Sequence, residues 1–344
     1  MRTHSFTPAK CLAMLALWLL TLSAMAGDRL RICGFGNSFT EDLLWRVPEL
    51  LGDDTTRVDL SFYYKSETTL ESHISALQRG SQDYKLYHYI GGVWQITDVT
   101  LPQALLTTSC DVVILQQAST LSGKEVNTRQ PLANLFALIR NYWPRCQMAY
   151  HMTWAYAWNS DHPYYYEYDN SQSKMYYDIL HTTHALLTKL PIDYCIPSGM
   201  VIQQLRQADG ADHEHDLCRD GYHLDLELGR YAVAYAFIRA VIDPILGTQH
   251  QLHIETDDQP GAAAAPAPLL QAIAEAVQGY CVDNTQLDAA IAEVLDEMDL
   301  QVYRTDYYDI TGHPADETLT RQVRVVNQHQ MNGSRHGHLE YIKE

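Results

Sequence analysis

The chain has 344 residues and a formal net charge of −18 at pH 7. This acidity argues against nucleic acid or an anionic membrane surface as a partner, because both would repel the protein. Tyrosine is frequent, with 23 residues against 6 phenylalanines, and this imbalance favours wet, amphipathic surfaces over a lipid-binding groove.

The first residues, 1–26, are predicted to be a cleaved signal peptide. Arg2 and Lys10 supply positive charge, Cys11–Leu22 is apolar, and Ala24–Ala26 fits a small-residue cleavage site. The apolar run is too short for a membrane span and has no lipid-attachment cysteine at its end. No later segment is apolar enough to cross a bilayer. We therefore expect a periplasmic or extracellular protein without a membrane span.

Strands and helices alternate along the chain that follows. In chain order we predict strand Leu30–Phe35, helix Glu41–Leu51, strand Val58–Tyr64, helix Leu70–Arg79, helix Leu101–Thr107, strand Asp111–Leu115, helix Pro131–Tyr142, strand Gln147–Met152, helix Ser173–Leu190, strand Tyr194–Ile196 and helix Gly229–Val241. Nearly continuous apolar strands separated by helices imply an α/β fold with a parallel sheet covered on both faces. Ligands of such sheets bind beyond the carboxyl ends of the strands.

The composition changes after the main domain, which we place at residues 27–250. Residues 251–300 are predicted to hold a Pro- and Ala-rich connector and two amphipathic helices, Leu269–Val277 and Thr285–Met298. Residues 301–344 are predicted to form a small β-rich unit, with strands at Val302–Tyr308, Val323–Val326 and Leu339–Ile342.

The cysteines and the acidic loop give no metal pattern. Beyond the signal peptide the cysteines are Cys33, Cys110, Cys146, Cys195, Cys218 and Cys281, without CxxC or zinc-type spacing. We expect mostly unpaired, buried thiols; a Cys195–Cys218 disulfide stays open, because an exported protein meets oxidising conditions. The run Asp212–Asp216 is too compact for the ligand shell of one ion and is interpreted as a solvated acidic loop. We predict no metal and no cofactor.

Two short motifs, far apart in the chain, could form one serine-hydrolase site. The first, Gly36–Thr40 (GNSFT), directly follows the first strand and carries Ser38 on a sharp turn. The second, Asp220–Leu224 (DGYHL), places a carboxylate three residues before His223. A nucleophile, a base and a carboxylate that orients the base are the minimum set for covalent acyl transfer. The alternative is purely structural, with Ser38 and Asp220 as helix caps.

These motifs resemble those of the SGNH (GDSL-type) hydrolase superfamily, most closely a secreted branch of it from gut bacteria. The resemblance covers residues 29–245. It implies a three-layer α/β/α sandwich with a parallel, flavodoxin-like sheet, and an esterase or deacetylase activity without a catalytic metal. By the same resemblance Ser38 is the nucleophile, His223 the base and Asp220 its orienting partner, within an SGNH-hydrolase-like catalytic domain at 27–250.

The oxyanion hole departs from the family pattern. The family's second block supplies a glycine, whereas this chain has Lys65–Thr68 there, and its third block supplies an asparagine, whereas this chain has Gln116 and Gln117. We predict that the backbone amides of Ser38 and Ser66 and the side-chain amide of Gln117 bind the oxyanion.

Aromatic residues supply the candidate substrate contacts. We predict substrate binding by Asn37, Trp154, Tyr156 and Tyr166; Asn37 is also expected to brace the nucleophile turn. Trp154 and the Tyr164–Tyr168 loop are candidate platforms for sugar rings, although a self-packed loop is an equal alternative. Two further histidines, His73 and His151, are interpreted as structural.

The sequence thus predicts a secreted serine esterase that removes acetyl or other small acyl groups from carbohydrates. Its expected partner is an acylated glycan or another small ester. One alternative is a non-catalytic glycan-binding protein on a decayed hydrolase scaffold, which the missing glycine motivates. Another is a lipid or short-chain esterase, which the scarcity of phenylalanine disfavours.

Overall fold

A computed structural model describes residues 29–208, 216–226, 228–252, 284–297, 323–325 and 339–341, together with alternate residues from 271 to 277. In this part of the chain the main sheet has seven strands. They are β1 (Leu30–Gly36), β2 (Val58–Tyr64), β3 (Ser81–Ile90), β4 (Val93–Leu101), β5 (Val112–Leu115), β6 (Gln147–His151) and β7 (Tyr194–Ile196). The strand order across the sheet is β4-β3-β2-β1-β5-β6-β7.

Five neighbouring strands of this sheet are parallel and form its core. β1 pairs with β2 on one side and β5 on the other, so that Gly36 lies beside Tyr64 and Phe35 beside both Tyr63 and Leu115. β6 and β7 continue the parallel pairing. The order β2-β1-β5-β6-β7 is the flavodoxin-like order, and the predicted α/β fold class is confirmed.

Helices cover both faces of the sheet. They are α1 (Ser38–Leu44), α2 (Val47–Leu51), α3 (Leu70–Arg79), α4 (Gln103–Leu106), α5 (Glu125–Ile139), α6 (Gln172–Lys189), α7 (Ser198–Arg206), α8 (Leu228–Phe237), α9 (Asp243–Leu246) and α10 (Asn284–Glu297). α3, α5, α6 and α10 pack successively against one another, while α1, α2 and α7 pack against α8. Right-handed crossovers place these two groups on opposite faces, which gives three layers.

The predicted helix Glu41–Leu51 is two helices in the structure. α1 begins earlier, at Ser38, because Asn37 caps it, and it ends at Leu44. α2 restarts at Val47 with Pro48 in its first turn. Proline has no N–H to donate and its ring clashes with the carbonyl four residues earlier, so Pro48 favours the start of a new helix over the continuation of α1.

An antiparallel hairpin, β3–β4, is absent from the prediction. It extends the sheet beyond β2 and turns at Gly91 and Gly92, whose φ angles of 63° and 85° suit glycine. β3 buries one ring on each of its faces, Tyr84 on one and Tyr87 on the other, and most of β4 is exposed. The hairpin docks on the nucleophile side of the fold, where Trp94 Nε1 donates a hydrogen bond to the backbone oxygen of Trp45.

Helix α5 begins at Glu125, six residues before the predicted start at Pro131. Proline is common in the first turn of a helix, where its missing N–H costs nothing. In the structure Pro131 lies inside α5 and has no N–H for the carbonyl of Asn127. That carbonyl is satisfied by the side-chain amide of Gln117 at 2.7 Å.

The last part of the chain agrees with the prediction where it is described. The predicted closing helix is α8 followed by a π-helical turn, Ile238–Ile242. The predicted helix Thr285–Met298 is α10, which contacts α6. β8 (Val323–Val325) and β9 (Leu339–Tyr341) form a separate antiparallel pair. The predicted signal peptide, the strand Val302–Tyr308 and most of the acidic loop lie outside the described residues, and the domain boundaries stay predictions.

The five described cysteines are buried and unpaired, as expected. They include Cys195 and Cys218, so the open alternative of a disulfide between these two is wrong. Burial raises the pKa of the Cys195 thiol to about 12, and that of the Cys218 thiol to about 11, so both thiols stay protonated.

Candidate active site

The turn that carries Ser38 joins β1 directly to α1. Asn37 caps the helix, and its side-chain oxygen accepts a hydrogen bond from the Phe39 amide at 3.0 Å. Ser38 is the first helical residue, so its amide has no partner within the helix. Glycine is required at Gly36, because a Cβ there would overlap the side chain of Thr40. The turn therefore presents a partly exposed hydroxyl beside a free backbone amide.

The DGYH loop brings its histidine to that hydroxyl. His223 Nε2 lies 2.7 Å from Ser38 Oγ, although the two residues are 185 positions apart in the chain. Asp220 Oδ2 lies 2.7 Å from His223 Nδ1. The other oxygen of Asp220 accepts hydrogen bonds from the backbone amides of Tyr222 and His223, at 3.2 Å and 2.8 Å. The structure thus brings Ser38, His223 and Asp220 together in one hydrogen-bonded line.

Hydrogen bonds also keep Asp220 ionised. Partial burial alone would raise the pKa of this carboxyl, but the hydrogen bonds from the His223 side chain and backbone and from the Tyr222 amide outweigh it. The pKa of Asp220 is therefore lowered below its ordinary value of 3.8. A carboxylate held in this way fixes the His223 tautomer with the proton on Nδ1 and leaves Nε2 free to accept a proton from Ser38.

A buried carboxylate, Asp42, locks the two halves of the site together. It lies one helical turn after Ser38 and is completely buried. Its Oδ1 accepts hydrogen bonds from Arg230 Nε at 2.8 Å and Arg219 Nη1 at 3.1 Å, and its Oδ2 accepts one from the Leu224 amide at 3.0 Å. Arg219 directly precedes the motif Asp220–Leu224 and Leu224 ends it, so the nucleophile helix and the histidine loop share one ionic anchor. Sequence reasoning missed Asp42, for which no local pattern gave a signal.

Trp154 and Tyr156, predicted as substrate contacts, are instead buried supports. Trp154 stacks on Phe39 with ring centroids 4.4 Å apart, and its Nε1 donates to the Tyr222 carbonyl at 2.8 Å. Tyr156 is equally buried, and its hydroxyl lies 2.9 Å from Ser119 Oγ. Trp154 therefore connects the nucleophile helix to the histidine loop through Phe39 and Tyr222. Both rings, Trp154 and Tyr156, are covered by protein and are not accessible to a ligand.

Gln117 does not serve as an oxyanion donor. It is buried, and its Oε1 accepts hydrogen bonds from the amides of Leu70 and Ala118 at 3.2 Å and 2.9 Å. Its Nε2 donates to the Asn127 carbonyl, which Pro131 leaves without its helical partner. The prediction for this residue is wrong because the first turn of α5 already uses its side-chain amide.

Gln116 and Asn37 brace the nucleophile turn. Gln116 Nε2 donates to Asn37 Oδ1 at 2.8 Å, and Gln116 Oε1 accepts a hydrogen bond from the Thr40 hydroxyl at 2.8 Å. Asn37 Nδ2 donates to the backbone oxygen of Thr68 at 3.3 Å. Because Asn37 is buried and its polar groups are engaged, it supports the turn rather than contacting a substrate, which corrects that part of the prediction.

The loop 65–68 lies beside this turn, at the place of the second family block. The Lys65 amide donates to the Gly36 carbonyl at 3.0 Å, so the loop continues the β1–β2 pairing up to the nucleophile. Ser66 is exposed in the turn, and Glu67 has a left-handed φ of 53°, a conformation that favours glycine. The backbone thus adopts a glycine-type turn without the glycine.

The tyrosine loop after β6 is only partly a surface. Tyr165 and Tyr168 are buried, whereas Tyr164 and Tyr166 are 55% and 58% exposed. The short 3-10 turn Tyr165–Tyr168 explains this division, because it points neighbouring side chains in different directions. Among the four predicted substrate contacts, Tyr166 is therefore the one that the structure leaves accessible.

His73 and His151 are completely buried, in keeping with a structural role. His73 Nδ1 bonds to the Tyr84 hydroxyl at 2.9 Å, while His151 lies between Gln116 Oε1 at 3.1 Å and Ser198 Oγ at 3.0 Å. Burial lowers the pKa of each imidazole from 6.5 to about 3, so both are neutral at pH 7.

The described residues contain no cluster of His, Cys, Asp or Glu side chains that could hold a metal ion. Of the acidic run Asp212–Asp216, only Asp216 is described; it is buried and pairs with Arg206, whose Nε lies 3.2 Å from Asp216 Oδ2. Across the same described ranges, no helix has the length and apolar character needed to cross a membrane.

A sandwich of this strand order, with a serine on the turn after β1 and an Asp-x-x-His loop before its closing helix, has the SGNH hydrolase fold. The expected resemblance to SGNH hydrolases is confirmed. Residues 31–250 match the family model described as Domain of unknown function (DUF4886), and the chain belongs to this family.

Three solved structures are similar to the chain. A DUF4886 family protein from Bacteroides uniformis is 27% identical with a TM-score of 0.61, and the match covers 73% of this chain and 94% of that one. A protein from Slackia heliotrinireducens, described as a proposed SGNH hydrolase, is 17% identical with a TM-score of 0.42, covering 61% and 97%. An acetyl-xylooligosaccharide esterase from Geobacillus stearothermophilus is 11% identical with a TM-score of 0.36, covering 61% and 93%. None of the curated proteins matches the chain.

Replacing Asp42 should destabilise the fold strongly. In D42N, two arginines lose their buried counter-charge, and we expect the free energy of unfolding to fall by on the order of 3 kcal/mol. Urea denaturation measures this loss. The exposed Asp53 is a matched control, and D53N should change stability by less than about 0.5 kcal/mol. Equal free energies of unfolding for D42N and the unaltered protein would contradict the role of Asp42 as the anchor between the two segments.

The buried histidines should make the fold sensitive to acid. Below the ordinary pKa of 6.5 the unfolded chain takes up a proton on each of them, but the folded chain does not until about pH 3. Stability therefore falls as the pH falls through this window, by about 2 kcal/mol per histidine between pH 6.5 and pH 5.

Urea denaturation at a series of pH values tests this sensitivity. H73Q should show a shallower loss of stability with acid than the unaltered protein, because one of the two protonation sites is gone. The exposed His181 is the control, and H181Q should keep the full pH dependence. An H73Q protein with an unchanged slope would show that burial of His73 does not penalise its charged form.

Proposed function

We propose that this protein is a serine esterase that removes acetyl or other small acyl groups from carbohydrates. One observation carries the proposal: Ser38 Oγ, both nitrogens of His223 and the carboxylate of Asp220 form a line with two contacts of 2.7 Å. Such a line joins nucleophile, base and orienting acid within proton-transfer distance.

The proposed reaction has two halves. Ser38 Oγ attacks the ester carbonyl while its proton moves to His223 Nε2, and the tetrahedral intermediate then collapses as His223 returns that proton to the departing alcohol. A water molecule attacks the resulting acyl-serine in the same way and releases the carboxylic acid. Asp220 stays ionised throughout and stabilises the charged imidazole, as its lowered pKa supports.

The oxyanion would be bound by backbone amides. The Ser38 amide lies at the N-terminus of α1, where the helix dipole favours negative charge. We propose the amide of Ser66 as a second donor, because loop 65–68 is fastened to the nucleophile turn through Lys65 and Thr68. Each such donor contributes on the order of 3 kcal/mol to the transition state in known hydrolases.

A carbohydrate is the substrate class that the surroundings favour. The exposed rings Tyr164 and Tyr166 carry hydroxyls, and the indole of Trp158 is 61% exposed in the same loop region. Such amphipathic rings suit a ligand that has both apolar faces and hydroxyl groups. We also propose export to the periplasm or the extracellular space, on the signal-like pattern of residues 1–26.

One alternative keeps a specific observation in its favour. The side-chain amide of Gln117 is already used in the fold, so one donor of the expected oxyanion hole is missing. A glycan-binding protein on an inactive hydrolase scaffold would tolerate that loss. It differs from the esterase in one measurable way, since it would bind acetylated glycans without releasing acetate.

Hydrolysis of 4-nitrophenyl acetate tests the proposed esterase. S38A should lower kcat at least about 10³-fold, because the attacking atom is removed while the fold is kept. Ser75 on α3 lies outside the site, and S75A should retain full activity. Thermal denaturation confirms that both variants fold. Undiminished hydrolysis by folded S38A would rule the proposal out, and an inactive parent protein that binds acetylated glycans would favour the alternative.

A further inference from the structure

A continuous line of rings leads away from the catalytic histidine. The ring of Tyr222 lies 4.3 Å from that of His223, and the ring of His162 lies 4.7 Å from Tyr222 in an edge-to-face arrangement. Tyr164 follows at 6.1 Å from His162, and Tyr166 at 6.4 Å from Tyr164. We call Tyr222, His162, Tyr164 and Tyr166 the aromatic track.

The track becomes more exposed with distance from Ser38. Tyr222 and His162 are half-buried, whereas Tyr164 and Tyr166 are 55% and 58% exposed. Rings that served only to fill the core would be covered, as their neighbours Tyr165 and Tyr168 are. The track is therefore a surface that begins at the catalytic line and runs outward from it.

Contacts made by Tyr168 and Lys124 hold this surface in place before any ligand arrives. The Tyr168 hydroxyl donates to the Thr120 carbonyl and accepts from the Gly123 amide, both at 3.0 Å. Lys124 Nζ lies 4.5 Å from the centre of the Tyr168 ring, and it donates to the Glu167 carbonyl at 2.8 Å. A loop anchored in this way loses little conformational entropy on binding, which is the advantage of a preformed site.

His162 offers a hydrogen-bond donor within the track. Its Nδ1 accepts a hydrogen bond from the Tyr164 amide at 3.2 Å, so its proton lies on Nε2. Burial, with a further contribution from the positive form of His223, lowers the pKa of His162, and the ring is neutral at pH 7. The track therefore combines flat apolar faces with an imidazole N–H and three phenol hydroxyls.

We propose that the aromatic track binds the sugar residues next to the acylated one, so that the substrate is an oligosaccharide or polysaccharide rather than a single sugar. This inference rests on the proposed esterase activity. A sugar chain fits the track because its C–H faces stack on aromatic rings while its hydroxyls bond to polar groups. A fatty acyl chain fits poorly, because each ring of the track carries a polar atom that it would leave unpaired.

The experiment measures how kcat/KM depends on chain length. The probes are O-acetylated xylo-, cello- and manno-oligosaccharides from monosaccharide to pentasaccharide, with 4-nitrophenyl acetate as a substrate without sugar, and released acetate or nitrophenol is the readout. In at least one series kcat/KM should rise on the order of 10-fold from the monosaccharide to the longer chains, as expected from about 1.4 kcal/mol of stacking.

Variants assign the rise to the track. Y164A/Y166A should abolish it, and so should Y164L/Y166L, which keeps apolar area but removes the flat rings. The matched control is Tyr194, a partly exposed tyrosine at the start of β7. It lies at the amino ends of the parallel strands, whereas the site lies at their carboxyl ends. Y194A should keep the full dependence on chain length. Circular dichroism shows whether each variant is folded.

The outcomes separate this inference from the proposed function. If the acetyl esters are hydrolysed with a kcat/KM that does not depend on chain length, the proposal for the aromatic track is overturned and the proposed esterase activity stands. A rise that persists in folded Y164A/Y166A also overturns it. If no ester is hydrolysed, calorimetry of the same oligosaccharides with S38A decides: tighter binding of longer chains, lost in S38A/Y164A/Y166A, supports the track, and equal or absent binding overturns it.

Discussion

The site depends on one buried ionic anchor, the carboxylate of Asp42. The serine and the histidine lie on segments 185 residues apart in the chain, and the direct contact between them is a single hydrogen bond of 2.7 Å. Asp42 lies one turn after Ser38 and binds Arg219, Arg230 and the Leu224 amide around the histidine motif. Separating the two segments would leave the buried carboxylate without its partners, which costs several kcal/mol, on the order of 3 to 5. The anchor therefore stabilises the arrangement in which the serine and the histidine are adjacent. Trp154 adds a second, uncharged connection between the same two segments.

Local patterns were enough to predict the elements that build the parallel sheet. β2, α3 and β7 have the predicted bounds, because continuous apolar strands and amphipathic helices leave clear periodicities. The hairpin β3–β4 was missed, since an edge hairpin buries little of either strand and its alternation is weak. Its Gly91-Gly92 turn was the usable signal. The predicted helix begins at Pro131, six residues after α5 does, because residues 125–130 contain few apolar side chains.

The site shows the same division between local and tertiary information. The two motifs predicted which three side chains would meet, and the structure brings them together. The predicted oxyanion donor was Gln117, but Gln116 is the glutamine that contacts the nucleophile turn. Neighbouring residues of a strand point to opposite faces, and the sequence alone does not show which face holds the nucleophile. Trp154 is predicted as a surface platform, but in the structure its ring is buried and stacks on Phe39. The spacing of residues in the sequence does not reveal this contact. Asp42 was overlooked for the same reason.

The covalent reactivity of Ser38 tests the central claim most directly. A fluorophosphonate probe reacts with a serine that an adjacent base activates, and mass spectrometry of the digested protein locates the adduct. The account predicts an adduct on Ser38 that forms readily in the unaltered protein and far more slowly in H223A. Labelling elsewhere with none on Ser38, or labelling of Ser38 at the same rate in folded H223A, would contradict it.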